Sequence, residues 1–183
     1  MITNKSTISI KNKLKKIRLI VSDVDGVLTD GMIRLVGDEE MKVFNGKDAM
    51  RIDMLIRSGI PLVWVTGRKC KAVIERSKEL NVHLIFKKDL HDKKISLVKE
   101  LNKIFGTSQE EALYIGDDWG DLFLMKQFGL SATPRNGSKE NKKIADIITD
   151  AEGGNGVMAE LIEKVMRWQL FFKKICVSIL PFL

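Results

Sequence analysis

Asp23 and Asp25 stand two residues apart, directly after Ile17-Arg-Leu-Ile-Val-Ser22, a short run rich in branched apolar residues. Carboxylates held that close repel each other unless a cation lies between them. Gly26 lets the chain turn sharply after the pair. A second acidic cluster, Gly116-Asp117-Asp118-Trp-Gly-Asp121, follows the apolar run Ala112–Ile115. Hard oxygen ligands converging from separate segments suit Mg2+, which keeps several waters and shares itself with a phosphate.

The elements that must bring these clusters together can be read from apolar runs and their spacing. Runs typical of buried strands recur at Leu62–Thr66, His83–Phe86, Ala112–Ile115, Leu130–Thr133 and Ala145–Thr149. Helix-like segments separate them: Asp48–Ser58, Lys69–Leu80, Asp92–Phe105 and Asp121–Phe128, with Asn155 to about Lys174 as the closing helix. Gly59, Gly106 and Gly129 mark helix ends. Such alternation predicts an α/β fold, a three-layer, Rossmann-like parallel sheet with helices on both faces. Right-handed crossovers then carry the strand ends to one edge, where ligands bind. The exception is Met32–Asn45, which reads as a β-hairpin inserted after the first strand, with its turn at Gly37-Asp-Glu-Glu40.

Asp23-Val-Asp25-Gly-Val-Leu-Thr-Asp-Gly31, Val65-Thr66-Gly67-Arg68, Lys93 and Gly116-Asp117-Asp118-x-x-Asp121 resemble, in this order, the four motifs of the haloacid dehalogenase superfamily. A lone Asp-x-Asp is a weak signal, but four motifs in order, each at a strand end or helix start, are a strong one. The resemblance implies a Mg2+-dependent phosphatase. Asp23 would attack phosphorus and form an aspartyl-phosphate. Asp25 would protonate the leaving alkoxide and then deprotonate the hydrolytic water. The Asp23 carboxylate, the Asp25 backbone carbonyl and Asp117 would hold the metal, with Asp118 or Asp121 in support. Thr66 and the amide of Gly67 would bind phosphate oxygens, and Lys93 would place a positive charge beside them. Purely structural roles compete at three positions: Thr66 as a helix N-cap, Lys93 as a solvated charge, and Asp121 as a cap of its own helix.

The segments between the motifs hold only the hairpin and one helix–strand pair, so there is no room for a cap domain. An uncapped site is open to water unless another subunit covers it. The hairpin followed by Lys42-Val-Phe-Asn-Gly-Lys-Asp48 is similar to the capless 3-deoxy-D-manno-octulosonate 8-phosphate phosphatases, over Ile17 to about Lys164. That resemblance implies a cytoplasmic homotetramer with the hairpin at its central contact, acting on a sugar acid phosphate in lipopolysaccharide biosynthesis. It places Asn45, Gly46, Lys47, Asp48, Ala49, Arg68, Arg76 and Lys93 at the substrate. Arginine suits a ligand carrying both carboxylate and phosphate. Asp48-Ala49-Met50-Arg51 departs from the family's Asp-Gly-x-Gly, and Asn155 and Ala159 replace two arginines. Lys47-Asp48-Ala49 also resembles the phosphatase-like domains of acylneuraminate cytidylyltransferases. A nine-carbon sialic-type 9-phosphate is therefore the alternative substrate, and a non-catalytic tetramerisation module the alternative class.

The formal charge of +7 does not describe the central part of the chain. Ten of the 31 basic residues flank Leu19–Glu163, six before it and four after, which leaves 21 against 24 acidic residues between. That distribution argues against a nucleic-acid surface. Residues 1–16 read as a flexible basic arm without the apolar run of a signal peptide, residues 17–165 as the catalytic domain, and residues 166–183 as an apolar extension. Trp168, Phe171, Phe172, Ile175 and Ile179 fall mostly at helical spacing. The stripe is expected to pack on its own core or a neighbouring subunit, with a membrane-surface anchor through Lys173 and Lys174 as the alternative. Cys70 and Cys176 are expected to be reduced.

Overall fold

The structure is a computed structural model that describes residues 7–86 and 90–169, with side chains for 8–86 and 97–169. The first half contains α1 (Thr7–Leu14), β1 (Leu19–Asp23), β2 (Arg34–Val36), β3 (Glu39–Met41), α2 (Gly46–Arg57), β4 (Leu62–Thr66), α3 (Lys71–Glu79) and β5 (His83–Phe86). It continues with α4 (Leu90–Phe105), β6 (Ala112–Ile115), α5 (Leu122–Gln127), β7 (Leu130–Thr133), α6 (Lys139–Ile144), β8 (Ile147–Ile148) and α7 (Val157–Trp168).

The branched runs form a six-stranded sheet in the order β5-β4-β1-β6-β7-β8, with every pair parallel. Strands buried on both faces need no polar alternation, and β1 shows this: Leu19, Ile20 and Val21 are all fully buried. Successive side chains still point to opposite faces. Ile20 joins Trp64, Ile115 and the apolar faces of α2 and α7. Leu19 and Val21 join Tyr114, Val65 and the inner faces of α4 and α5. From β1 the chain runs outward to β4 and β5, then returns to β6 on the other side of β1. The order therefore reverses around β1, and the crevice beyond its carboxyl end is where such sheets bind ligands. In that crevice Asp23 lies level with Val65 and Ser22 level with Ile115.

The hairpin forms a separate two-stranded sheet, with Arg34 opposite Met41 and Val36 opposite Glu39. Its turn is two residues long, Gly37 and Asp38, shorter than the four expected, and Gly37 takes the positive φ that a tight hairpin turn requires. The closing helix begins at Val157, after Gly156 in a left-handed conformation, and α6 is a helix the spacing had not indicated. Strand β8 is reduced to Ile147–Ile148.

The flexible arm needs correcting from Thr7 onward. Ile10, Leu14 and Ile17, spaced four and three apart, are buried in the core. Gln169 donates through Nε2 to the carbonyls of Leu14 and Ile17, and the Lys11 ammonium lies 4.7 Å from the Trp168 ring centroid. The lysines of this segment made it read as an arm because charge dominates its composition, while a narrow apolar stripe suffices to dock a helix. Phe171, Phe172, Lys173, Lys174, Ile175 and Ile179 lie outside the described residues. No helix among the described residues is long and apolar enough to cross a membrane. Cys70 is a buried free thiol.

Candidate active site

Asp23 is the last residue of β1, and the chain turns immediately after it: Leu28 and Thr29 both donate to the carbonyl of Val24. Gly26 has φ +87°, and a Cβ there would stand 2.0 Å from Asp117 Oδ2. Only a residue without a side chain lets the loop after β1 approach the loop after β6 this closely.

Asp121 organises that second loop. Its Oδ2 accepts from the amides of Asp117 and Asp118 at 3.0 and 3.2 Å, while Tyr114 Oη donates to Oδ1 at 2.7 Å. Asp117 is thereby aimed at Asp23, and carboxylate oxygens of Asp23, Asp117 and Asp121 lie within 4.8 Å of one another. Burial, then the charges of Asp121 and Asp117, pushes the Asp23 carboxyl well above the ordinary carboxylate range. Burial and Asp121 push Asp117 up to about 7. Converging carboxylates that strain against ionisation are what a divalent cation relieves, so the residues fit a hard metal ion. Both Asp121 oxygens accept hydrogen bonds, one of them from the Asp117 amide, so Asp121 braces the loop that holds Asp117 beside Asp23.

Asp25 stands outside this group of three, near enough for its charge to raise both Asp23 and Asp117. Its Oδ1 pairs with the ammonium of Lys42, which also reaches Glu40 Oε1 at 2.7 Å. The Lys42 side chain is only 2% exposed. Burial pulls its pKa down, but the bonds to Asp25 and Glu40 outweigh that and leave it raised. Arg68 donates from Nη2 to Glu40 Oε2 at 3.1 Å. Lys42 and Glu40 escaped the reading of site residues because 17 positions separate Lys42 from Asp25 and no spacing rule joins them.

Thr66 ends β4 buried, and its Oγ1 accepts from the Arg68 amide at 3.1 Å. It braces the loop and does not cap α3, whose N-cap is Cys70. Lys93 falls in the first turn of α4, and its side chain lies outside the described residues. Asn45 is the N-cap of α2, accepting from the Lys47 amide at 2.8 Å. Gly46 and Lys47 are exposed in the first turn, and Ala49 is half-buried.

Asp48 turns its carboxyl into the fold. It is 3% exposed, and its Oδ1 accepts from the Ala159 amide at 2.7 Å, so it caps the start of α7 from across the fold. Burial lifts its carboxyl to about 6. Arg76 lies over the Phe44 ring and donates to Glu79 at 2.6 Å. Together with Asn45, Asp48 and Ala49 it borders a small cavity behind Trp64. The expected residues thus divide into an acidic centre with Arg68 at its rim, and a second group around α2 and α3.

The segment 85–161 matches the family of haloacid dehalogenase-like hydrolases. The chain is 31% identical to the 3-deoxy-D-manno-octulosonate 8-phosphate phosphatase KdsC of Salmonella typhi, over 86% of this chain and 83% of that protein. It is 32% identical to the phosphatase of the same name from Escherichia coli K12, over 84% and 81%. The chain belongs to this phosphatase family. The phosphatase superimposes on the crystal structure of 3-deoxy-D-manno-octulosonate 8-phosphate phosphatase from Moraxella catarrhalis with a TM-score of 0.87. Identity there is 33%, over 94% of this chain and 99% of that one, and that crystal holds a magnesium ion, a phosphate ion and a KDO molecule. The cobalt-bound Haemophilus influenzae enzyme matches with a TM-score of 0.81 and 30% identity, over 86% and 91%. The phosphatase is a phosphoric monoester hydrolase with the α/β fold that its alternating strands and helices predicted.

Proposed function

We propose that the phosphatase converts 3-deoxy-D-manno-octulosonate 8-phosphate to the free sugar acid and phosphate, with Mg2+ at Asp23 and Asp117. The observation that carries the reading is the meeting of Asp23 and Asp117 at the crevice edge with the Asp25 carboxyl beside them; the relatives named above support the choice of substrate. Asp23 attacks phosphorus, so that an Asp23–phosphorus bond forms as the bond to the sugar oxygen breaks. Asp25 gives its proton to that oxygen. It then takes a proton from water, which displaces Asp23 and releases phosphate. The bound cation supplies positive charge against the repulsion between Asp23 and the phosphate dianion. Thr66, Gly67 and Lys93 hold phosphate oxygens, and Arg68 at the rim meets the carboxylate of the sugar acid.

The hairpin supports assembly. Leu35 is 72% exposed and Val36 63%, with Met32, Ile33 and Val43 exposed around them, and such a patch on one element is unusual for a monomer. Neighbouring copies in a homotetramer cover it.

The test is phosphate release from a panel of sugar phosphates that includes the octulosonate 8-phosphate and sialic-type 9-phosphates, with EDTA and with Mg2+. Preference for the octulosonate, silenced by EDTA and restored by Mg2+, is expected. Preference for a nine-carbon acid would replace the substrate, and indifference to chelation would remove the metal. Asp23→Asn should abolish turnover while the circular dichroism spectrum stays unchanged.

A further inference from the structure

Lys42 follows β3, and its side chain runs inward from the base of the hairpin until it is almost fully buried. A buried ammonium is costly unless opposite charges surround it, and here Asp25 and Glu40 do so. Bonds from Lys42, and then from Arg68, keep the Glu40 carboxyl below its ordinary range. Arg68, Glu40, Lys42 and Asp25 thus form a row of alternating charge from the rim of the site to its centre. Asp25 itself sits outside any strand or helix, and among the described residues Lys42 is the side chain that pairs with its carboxyl.

We infer that Lys42 is the positioning residue for Asp25: its ammonium engages Oδ1 and so presents Oδ2 to the leaving oxygen and then to the hydrolytic water. The inference rests on the role given to Asp25 under the proposed function. Proton transfer requires the transferring oxygen within hydrogen-bond reach of its partner, and a freely rotating carboxyl meets that condition only part of the time. Lys42 is a poor candidate for direct phosphate binding, because a phosphate would have to displace two carboxylates from a nearly buried ammonium. The hairpin thereby has a task inside its own subunit, delivering this ammonium to the first motif.

The experiment compares wild type, Lys42→Met, Lys42→Arg, Asp25→Asn and the Asp25→Asn/Lys42→Met double variant. It records kcat and KM for the sugar acid phosphate that wild type prefers, with thermal melts of each protein. Lys42→Met is expected to lower kcat by about tenfold to a hundredfold, less than the full ~10²–10⁴-fold that general acid–base catalysis supplies, because Asp25 itself remains. KM should stay within about twofold, Lys42→Arg should recover part of kcat, and the double variant should be no slower than Asp25→Asn alone. A raised KM at retained kcat would put Lys42 on the substrate and overturn the inference. Additive losses in the double variant, or an unchanged kcat in Lys42→Met, would overturn it too. A wild type that released no phosphate from any substrate would instead overturn the phosphatase reading itself.

Discussion

Asp48 has a structural partner that no neighbouring residue in the sequence announces. Resemblance puts it at the substrate, whereas its carboxyl caps α7 through the amide of Ala159, 111 positions away. No local pattern could reveal a partner at that distance. The arrangement has a pH signature. The folded state holds the Asp48 proton up to about 6, against 3.8 for an ordinary aspartate. Below 3.8 both states are protonated; between the two values the unfolded chain ionises first, so stability falls as pH rises and levels off above 6. The full span corresponds to about 3 kcal/mol. Asp48→Asn keeps an oxygen for the Ala159 amide and cannot ionise. In urea melts from pH 4 to 7.5 its stability relative to wild type should climb by up to about 3 kcal/mol; a flat difference would mean that Asp48 ionises normally. Asp23 and Asp117 were legible for the opposite reason, since one ends and the other closely follows a short buried strand that announces itself as an apolar run.

At the level of elements, the central strands were readable because burial on both faces turns them into continuous branched runs. Helix α1 was not. Lys11, Lys13, Lys15 and Lys16 gave its segment the composition of a solvated arm, yet Lys13 reaches Asp146 at 3.4 Å while Ile10 and Leu14 enter the core. Leu14 is 3% exposed, so Leu14→Ala should destabilise the domain by about 2–4 kcal/mol in urea unfolding. Loss of under about 0.5 kcal/mol would restore the arm reading. Helix α6 was missed because it is only six residues long and is stabilised from outside: Ser138 caps it, and the Asn141 amide reaches back to the Asp118 carbonyl at 2.9 Å.

For the whole molecule, the parallel sheet and its ligand edge followed from the alternation of strands and helices, whereas the surroundings of the hairpin had no sequence signal of their own. Leu35→Asp combined with Val36→Asp should lower the mass seen by light scattering toward that of the 20.7 kDa chain, without loss of the circular dichroism spectrum. An unchanged mass would overturn the proposed role of the hairpin in a homotetramer. Three distant loops also meet at Gly26. A Cβ there would strike Asp117 Oδ2 at 2.0 Å, and one on Gly153 would lie 1.9 Å from the Gly26 carbonyl oxygen. The loop after β1 is therefore pressed between two others with no room for a methyl group. That packing fixes how near the loop carrying Asp23 stands to the loop carrying Asp117. A methyl group on Gly26 would push the loop of Asp23 away from that of Asp117, and the two carboxylates would part with it.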